Sequence, residues 1–225
     1  MLVLGLSLIL FGGGGSGSDT NSSDTSAGSA PTSQPGGTGP GAKAKSTKDG
    51  IPVGYSQTKD GAAAAAVNYQ MARSSPGYFT DEALRHQVLE TVMTGSALSD
   101  QQAQDDEAAK GLLTSLGVTD GTDSGLVMRA APLGTSVRSY SADSATVRVW
   151  MSEVVGLPTE KSQMPVSGTY STYTLILQWQ DGDWKVATID QADGPTPLVP
   201  PDQSASDTDD MREANEEFGA PRYAG

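Results

Sequence analysis

The stretch Tyr170–Asp190, YSTYTLILQWQDGDWKVATID, constrains the fold of this chain more than any other. Tyr173, Leu175, Leu177 and Trp179 alternate with Thr172, Thr174, Ile176, Gln178 and Gln180. Side chains of an extended strand point alternately to its two faces, so this spacing predicts a half-buried strand. Asp181-Gly182 supplies the positive-φ residues of a tight turn, and the chain returns as a second strand, Trp184–Ile189. The apolar side of such a hairpin must be buried against something, and the segments before it are helical in pattern.

Asp60 is placed to cap a helix running to Arg73, with Ala62, Ala65, Ala66 and Tyr69 on one face. The alanine run gives it high propensity and a thin side that packs closely. Ser74-Ser-Pro-Gly77 breaks it. Thr80 or Asp81 starts a second helix with the stripe Leu84, Val88, Leu89, Val92 and Met93, ended by Gly95. Ser99-Asp-Gln-Gln102 has the pattern of a capping box opening a third helix to Leu116, with Gly117 as its stop. Only the second half, with Ala108, Ala109, Leu112, Leu113 and Leu116, has an apolar face, so Asp100–Glu107 is expected in solvent or frayed. From Leu126 the period falls to two. Leu126–Tyr140 predicts a strand bent or split at Pro132-Leu-Gly134. Ala145, Val147, Val149 and Met151 alternate with Thr146, Arg148 and Trp150 in the next strand. Gly156–Gly168 is a loop, and the hairpin then completes about four antiparallel strands. Three helices followed by this sheet predict an α+β domain with the helices on one sheet face.

Composition confines that domain to part of the 225 residues. Residues 12–50 are almost wholly Gly, Ser, Thr, Pro, Asp, Ala and Lys, with nothing to seed a core, and are expected to be a disordered linker. The expected organisation is a hydrophobic N-terminus at 1–11, the linker at 12–50, the folded domain at 51–190 and an acidic, mostly disordered tail at 191–225. A short acidic helix around Asp209–Phe218 would place Met211, Ala214 and Phe218 on one face, a candidate docking peptide. Leu2–Phe11 is apolar apart from Gly5 and Ser7. Its length is short of the roughly 20 residues that span a bilayer. It lacks the basic flank and small-residue cleavage site of a secretory signal. The expectation is an anchor that begins upstream of Met1, or a signal, giving a single-pass membrane protein with an extracytoplasmic domain, or a secreted one. A net charge of −13 without a basic stripe argues against nucleic acid as a partner. The absence of cysteine removes disulfides, thiolate catalysis and Cys-based zinc sites together.

Helices first, then a meander closing on Trp179-Gln-Asp-Gly-Asp-Trp-Lys-Val186, resembles the NTF2-like fold. More narrowly, it resembles extracytoplasmic domains of membrane-anchored conjugation and type IV secretion components of the VirB8 and TcpC type. Gly50-Ile-Pro-Val-Gly-Tyr55 before an Ala-rich helix resembles uncharacterised actinomycete proteins often encoded on mobile elements. The resemblance covers residues 51–190 and implies a cone-shaped domain, while a shared fold leaves function open.

Motifs for chemistry are sparse. His86 is the only histidine, and Glu90 at i+4 predicts a surface His–Glu pair. Ser56-Gln-Thr-Lys59 has S-x-x-K spacing without its companion motifs, and Gly36–Lys43 lacks the strand and helix of a phosphate loop. Asp105-Asp-Glu107 predicts a solvated helix face partnered by Lys110. Asp181 and Asp183 are accounted for by the hairpin turn. Asp190 could point into a cone, and with Tyr69 and His86 it makes the candidate pocket set. Trp150, out of phase with Val147, Val149 and Met151, joins Trp179 and Phe218 as candidate partner contacts. No catalytic, cofactor-binding or metal constellation emerges. The expected function is therefore non-enzymatic binding or scaffolding with protein partners or further copies of the chain, and membrane contact through the N-terminus. The resemblance implies an accessory role in a conjugative transfer apparatus. The alternatives are a small-molecule binding or enzymatic domain with its pocket inside the cone, and a secreted envelope protein without a transfer role. Convergent buried polar groups inside the cone would favour a pocket, and an apolar filling would favour a scaffold.

Overall fold

A computed structural model describes residues 43–118, 125–159, 162–199 and 204–218. The expectations for Leu2–Phe11 and for most of the linker lie outside the described residues. In chain order the elements are β1 (Ser46–Lys48), β2 (Ile51–Val53), α1 (Lys59–Arg73), α2 (Pro76–Thr80), α3 (Glu82–Val92), α4 (Leu98–Leu116), β3 (Val127–Tyr140), β4 (Ser144–Gly156), β5 (Ser167–Gln180), β6 (Asp183–Asp193) and α5 (Thr208–Glu217). The four long strands form one antiparallel sheet in the order β3-β4-β5-β6, while β1 and β2 make a separate hairpin. The class is α+β.

The β5–β6 turn forms as its residues require, with Asp181 at φ 51° and Gly182 at φ 79°. Positive φ at both central positions gives the turn whose twist matches the flanking strands. The same dipeptide occurs upstream. Asp49 (φ 54°) and Gly50 (φ 80°) join β1 to β2, so Ser46–Lys48, expected in the linker, pairs with Ile51–Val53 instead.

Among the described residues four helices precede the four-stranded sheet, where three were expected. Ser74–Gly77 does break α1, but Pro76 then occupies the first turn of α2, and the Ser75 side chain accepts from Tyr78 N. A missing amide hydrogen costs nothing at that position. Thr58, rather than Asp60, caps α1 by accepting from Gly61 N. Asp81 caps α3. The capping box at Ser99 does not form, because α4 begins at Leu98 with Ala97 in the N-cap position, two residues before Ser99, and has no side-chain cap. Gly117 ends α4 in the left-handed conformation at φ 72°.

Register places Ala145 opposite Leu177, Val147 opposite Leu175 and Val149 opposite Tyr173 on the inner face of the sheet. α1 crosses all four strands there. Ala62, Ala65, Ala66 and Tyr69 are fully buried against this face, with Trp184 and Val186 of β6 completing the core. Each buried Val or Leu contributes about 1.5–3 kcal/mol relative to exposure. The free edge of β6 is covered where Met93 bridges to Val186 and Thr94 N donates to Val186 O at 2.9 Å. The β3 edge carries Pro132 and two register shifts, features that discourage strand addition.

Candidate functional site

Asp183, the first residue of β6, is buried and points under α1. Its Oδ1 accepts from Tyr55 N at 3.0 Å and Trp184 N at 2.9 Å. Its Oδ2 accepts from the Tyr69 hydroxyl at 2.6 Å and Lys185 Nζ at 3.2 Å. This corrects the assignment of Asp183 to the turn, a role that Asp181 alone fills. Burial, then the Asp183 charge, pushes the Tyr69 hydroxyl far above its ordinary pKa. Lys185 continues the chain of contacts to Thr91 O at 2.7 Å. The Trp184 indole donates to Ser56 O at 2.9 Å. Asp183, Tyr69, Lys185 and the Trp184 indole thus bind one another and the backbone, while Asn68 donates to the Tyr55 hydroxyl at 2.7 Å and keeps its buried Oδ1 without a partner among the described residues.

A second polar cluster joins the helices. Arg73 of α1 reaches Asp105 of α4 at 2.7 Å, and both side chains are largely buried. The Tyr78 hydroxyl donates to the same carboxylate, and Gln101 Nε2 to its other oxygen at 2.9 Å. Next to it, Arg85 Nε lies 2.7 Å from Asp106 Oδ1, and His86 Nε2 lies 2.9 Å from Oδ2. Desolvation works to raise the Asp106 carboxyl, but hydrogen bonds from His86 and Arg85 outweigh it and hold the group below its ordinary pKa. Two expectations are corrected. His86 pairs with Asp106 across helices rather than with Glu90, and the first half of α4 is anchored rather than solvated. Of Asp105–Glu107 only Glu107 meets Lys110, at 4.0 Å and largely exposed. Asp105 and Asp106 could not be distinguished from a solvated run because their arginine and histidine partners lie 20 or more residues away. A groove of about 680 Å³ runs along α2, α3 and α4, lined by Phe79, Glu82, Arg85, Asp106, Lys110 and Leu113 among others.

The outer face of the sheet is different in character. Thr146, Arg148 and Trp150 of β4 lie opposite Ile176, Thr174 and Thr172 of β5, all but Thr172 exposed or half-buried. Trp150 points away from the core, as its phase predicted. Its indole donates to Pro195 O at 3.0 Å, and its ring lies 6.4 Å from that of Tyr170. Trp179 is on the inner face, half-buried, edge-on to Trp184 at 5.3 Å. Phe218 is 62% exposed. Asp190 is exposed opposite Thr174 on the outer side. Tyr69, His86 and Asp190 therefore occupy three separate places, beneath α1, between α3 and α4, and on the outer sheet face.

Together these features define a class: an α+β domain whose sheet is packed against helices on one face and, among the described residues, carries mostly exposed or half-buried side chains on the other. The chain belongs to the family described as a domain of unknown function, DUF8175, whose model matches residues 17–209. No curated protein sequence matches it. Among solved structures it is similar to an IcmL-like type IV secretion system protein from Legionella pneumophila, at 10% identity, covering 65% of this chain and 98% of that one, with a TM-score of 0.46. It is also similar to the intermembrane space region of the chloroplast protein ARC6, at 18% identity over 59% of this chain and 97% of that one, with a TM-score of 0.35. A de novo designed β-sheet protein is similar at 16% identity over 63% and 98%, with a TM-score of 0.34. Identities this low do not transfer function. No helix among the described residues is long and apolar enough to cross a membrane.

Proposed function

We propose that this chain is a non-enzymatic binding domain that meets a protein partner through the outer face of its sheet, centred on Trp150. The observation that carries the reading is the contrast between the two faces. Inside, Tyr69, Val147, Val149, Leu175, Leu177 and Trp184 fill the space a substrate would need, each 0% exposed. Outside, Trp150, Tyr170 and Ile176 stand half-buried among Thr and Ser side chains beside the exposed Arg148. Aromatic and arginine side chains are the types enriched at protein interfaces.

In the finer form of this reading the fold is NTF2-like. The domain stands outside the membrane, tethered through the hydrophobic N-terminus at 1–11 and the linker after it, and is an accessory component of a conjugative transfer apparatus. Support comes from the apolar run Leu2–Phe11 and from the likeness of the Trp179–Val186 hairpin to such components. A photo-crosslinking residue at position 150 or 170 of the full chain, in its native cell, tests the surface. One discrete protein adduct is expected from each position, and none from a control position at the exposed Glu90 on α3. Equal capture from all three positions, or none from the sheet, overturns the surface reading. Identifying the adduct as a transfer-machinery subunit, or as something else, decides the finer role.

A further inference from the structure

Glu82 and His86 stand one turn apart on α3, and Asp106 approaches from α4. One ligand atom from each lies within 4.8 Å of the other two. Asp106 is held from behind, since Arg85 Nε binds its Oδ1 at 2.7 Å and Arg85 Nη1 is itself fixed on Tyr78 O at 2.9 Å. That leaves Oδ2 facing His86 Nε2 at 2.9 Å. Glu82 is exposed, and its carboxylate makes no hydrogen bond or ion pair among the described residues. Arg85 balances one of the two carboxylates, and the other has no counter-ion among the described residues.

We propose that Glu82, His86 and Asp106 form a three-ligand site for a divalent ion of the zinc class, with one coordination position left open toward the groove. Glu82, Arg85 and Asp106 all line that groove, so an ion held here faces it. The donor set decides the class of ion. One imidazole nitrogen with two carboxylate oxygens suits zinc and similar borderline ions, whereas magnesium and calcium favour all-oxygen shells. Metal–ligand distances of about 2.0–2.2 Å in a tetrahedral arrangement place ligand atoms roughly 3.3 Å apart. The His86–Asp106 spacing needs to open by only a few tenths of an ångström. Glu82 needs a side-chain rotation, which its exposure permits. An ion bound here takes the Nε2 lone pair of a neutral imidazole, whose hydrogen then sits on Nδ1. Arg85 then acts as the outer hydrogen-bond partner that orients a ligating carboxylate. Three protein ligands and an open position describe a site that can accept water or a donor group from a docked partner, rather than a closed structural site.

The test is calorimetric titration of zinc chloride into the full-length, tag-free chain after stripping with EDTA. One ion per chain is expected. Glu82→Gln and His86→Asn should each weaken binding by about tenfold or more. Glu82 has no structural partner, so Glu82→Gln retains the far-UV circular dichroism of the parent and its loss of affinity reads the site alone. Magnesium chloride should give no saturable heat. Absence of saturable zinc binding overturns the proposal. So does unchanged affinity in both variants, which would place the ion elsewhere on the chain.

Discussion

Asp183 ties three parts of the molecule through one carboxylate: the Tyr55 amide of the lead-in, Tyr69 of α1 and Lys185 of its own strand. Removing one partner from a buried charged pair costs about 3–5 kcal/mol, because the other groups are left desolvated and unmatched. Asp183→Ala is therefore expected to lose about that much stability in urea unfolding, and Tyr69→Phe about 1–3 kcal/mol. In the double variant the Tyr69 term should largely vanish, and full additivity would show that the contacts are not coupled. Burial also pushes the hydroxyls of Tyr69, Tyr78 and Tyr173 well above the ordinary tyrosine value. In the unfolded chain they ionise near pH 10, so the folded state holds more protons above that pH. Their contribution is fully present below about pH 10 and is lost as pH rises beyond it. Tyrosinate absorbance should thus rise together with loss of structure at alkaline pH, and Tyr69→Phe should flatten that limb. Asp181 and Asp183 flank the same Gly182, and only the first role could be read from sequence. A turn is a local property, whereas Tyr69 and Tyr55, which draw Asp183 into the core, lie 114 and 128 residues away.

At the level of elements, α4 is the helix whose sequence misleads most. Its first half, Asp100–Glu107, has Ala103 as its one apolar residue, yet Gln101 and Asp105 are buried because Arg73 and Tyr78 supply the matching charge and donor. Periodicity registers apolar faces and overlooks a face buried through polar contacts. Amide hydrogen exchange across Asp100–Glu107 should accordingly be slow, and Asp105→Ala should both speed it and cost about 3–5 kcal/mol. Unprotected amides in the parent protein would show that this half is frayed. α1 offers the opposite lesson, since its alanine face was legible but the need for Gly61 was not. Gly to Ala inside a helix ordinarily stabilises by about 1 kcal/mol. Here an added Cβ would come within 2.0 Å of Ser56 O, the carbonyl that also accepts from the Trp184 indole. Gly61→Ala is expected to lower stability in thermal or urea melts, with overpacking costing about 1–3 kcal/mol. An unchanged or higher melting temperature would mean that the lead-in shifts freely.

Across the whole molecule, the sheet and its turns were legible because period-two alternation and Asp-Gly pairs are local signals. The β1–β2 hairpin was obscured by the low-complexity composition around it, although Asp49-Gly50 repeats the signal at Asp181-Gly182. The tail helix α5 was anticipated from Asp209 to Phe218, and its attachment was not. Arg129 at the start of β3 donates to Asn215 Oδ1 at 2.8 Å and to Phe218 O at 3.1 Å. None of the residues of α5 is buried. Contacts of this kind, made at the surface by one flexible arginine, contribute about 1 kcal/mol or less. Deleting residues 204–225 should therefore leave the urea midpoint of the remaining chain nearly unchanged while removing helical circular dichroism. Arg129→Ala in the full chain should raise hydrogen exchange in α5 alone, leaving the sheet as protected as before. A deletion that cost several kcal/mol would instead make α5 part of the folding unit. Its acidic residues would then be stabilising the domain rather than standing free to meet a partner.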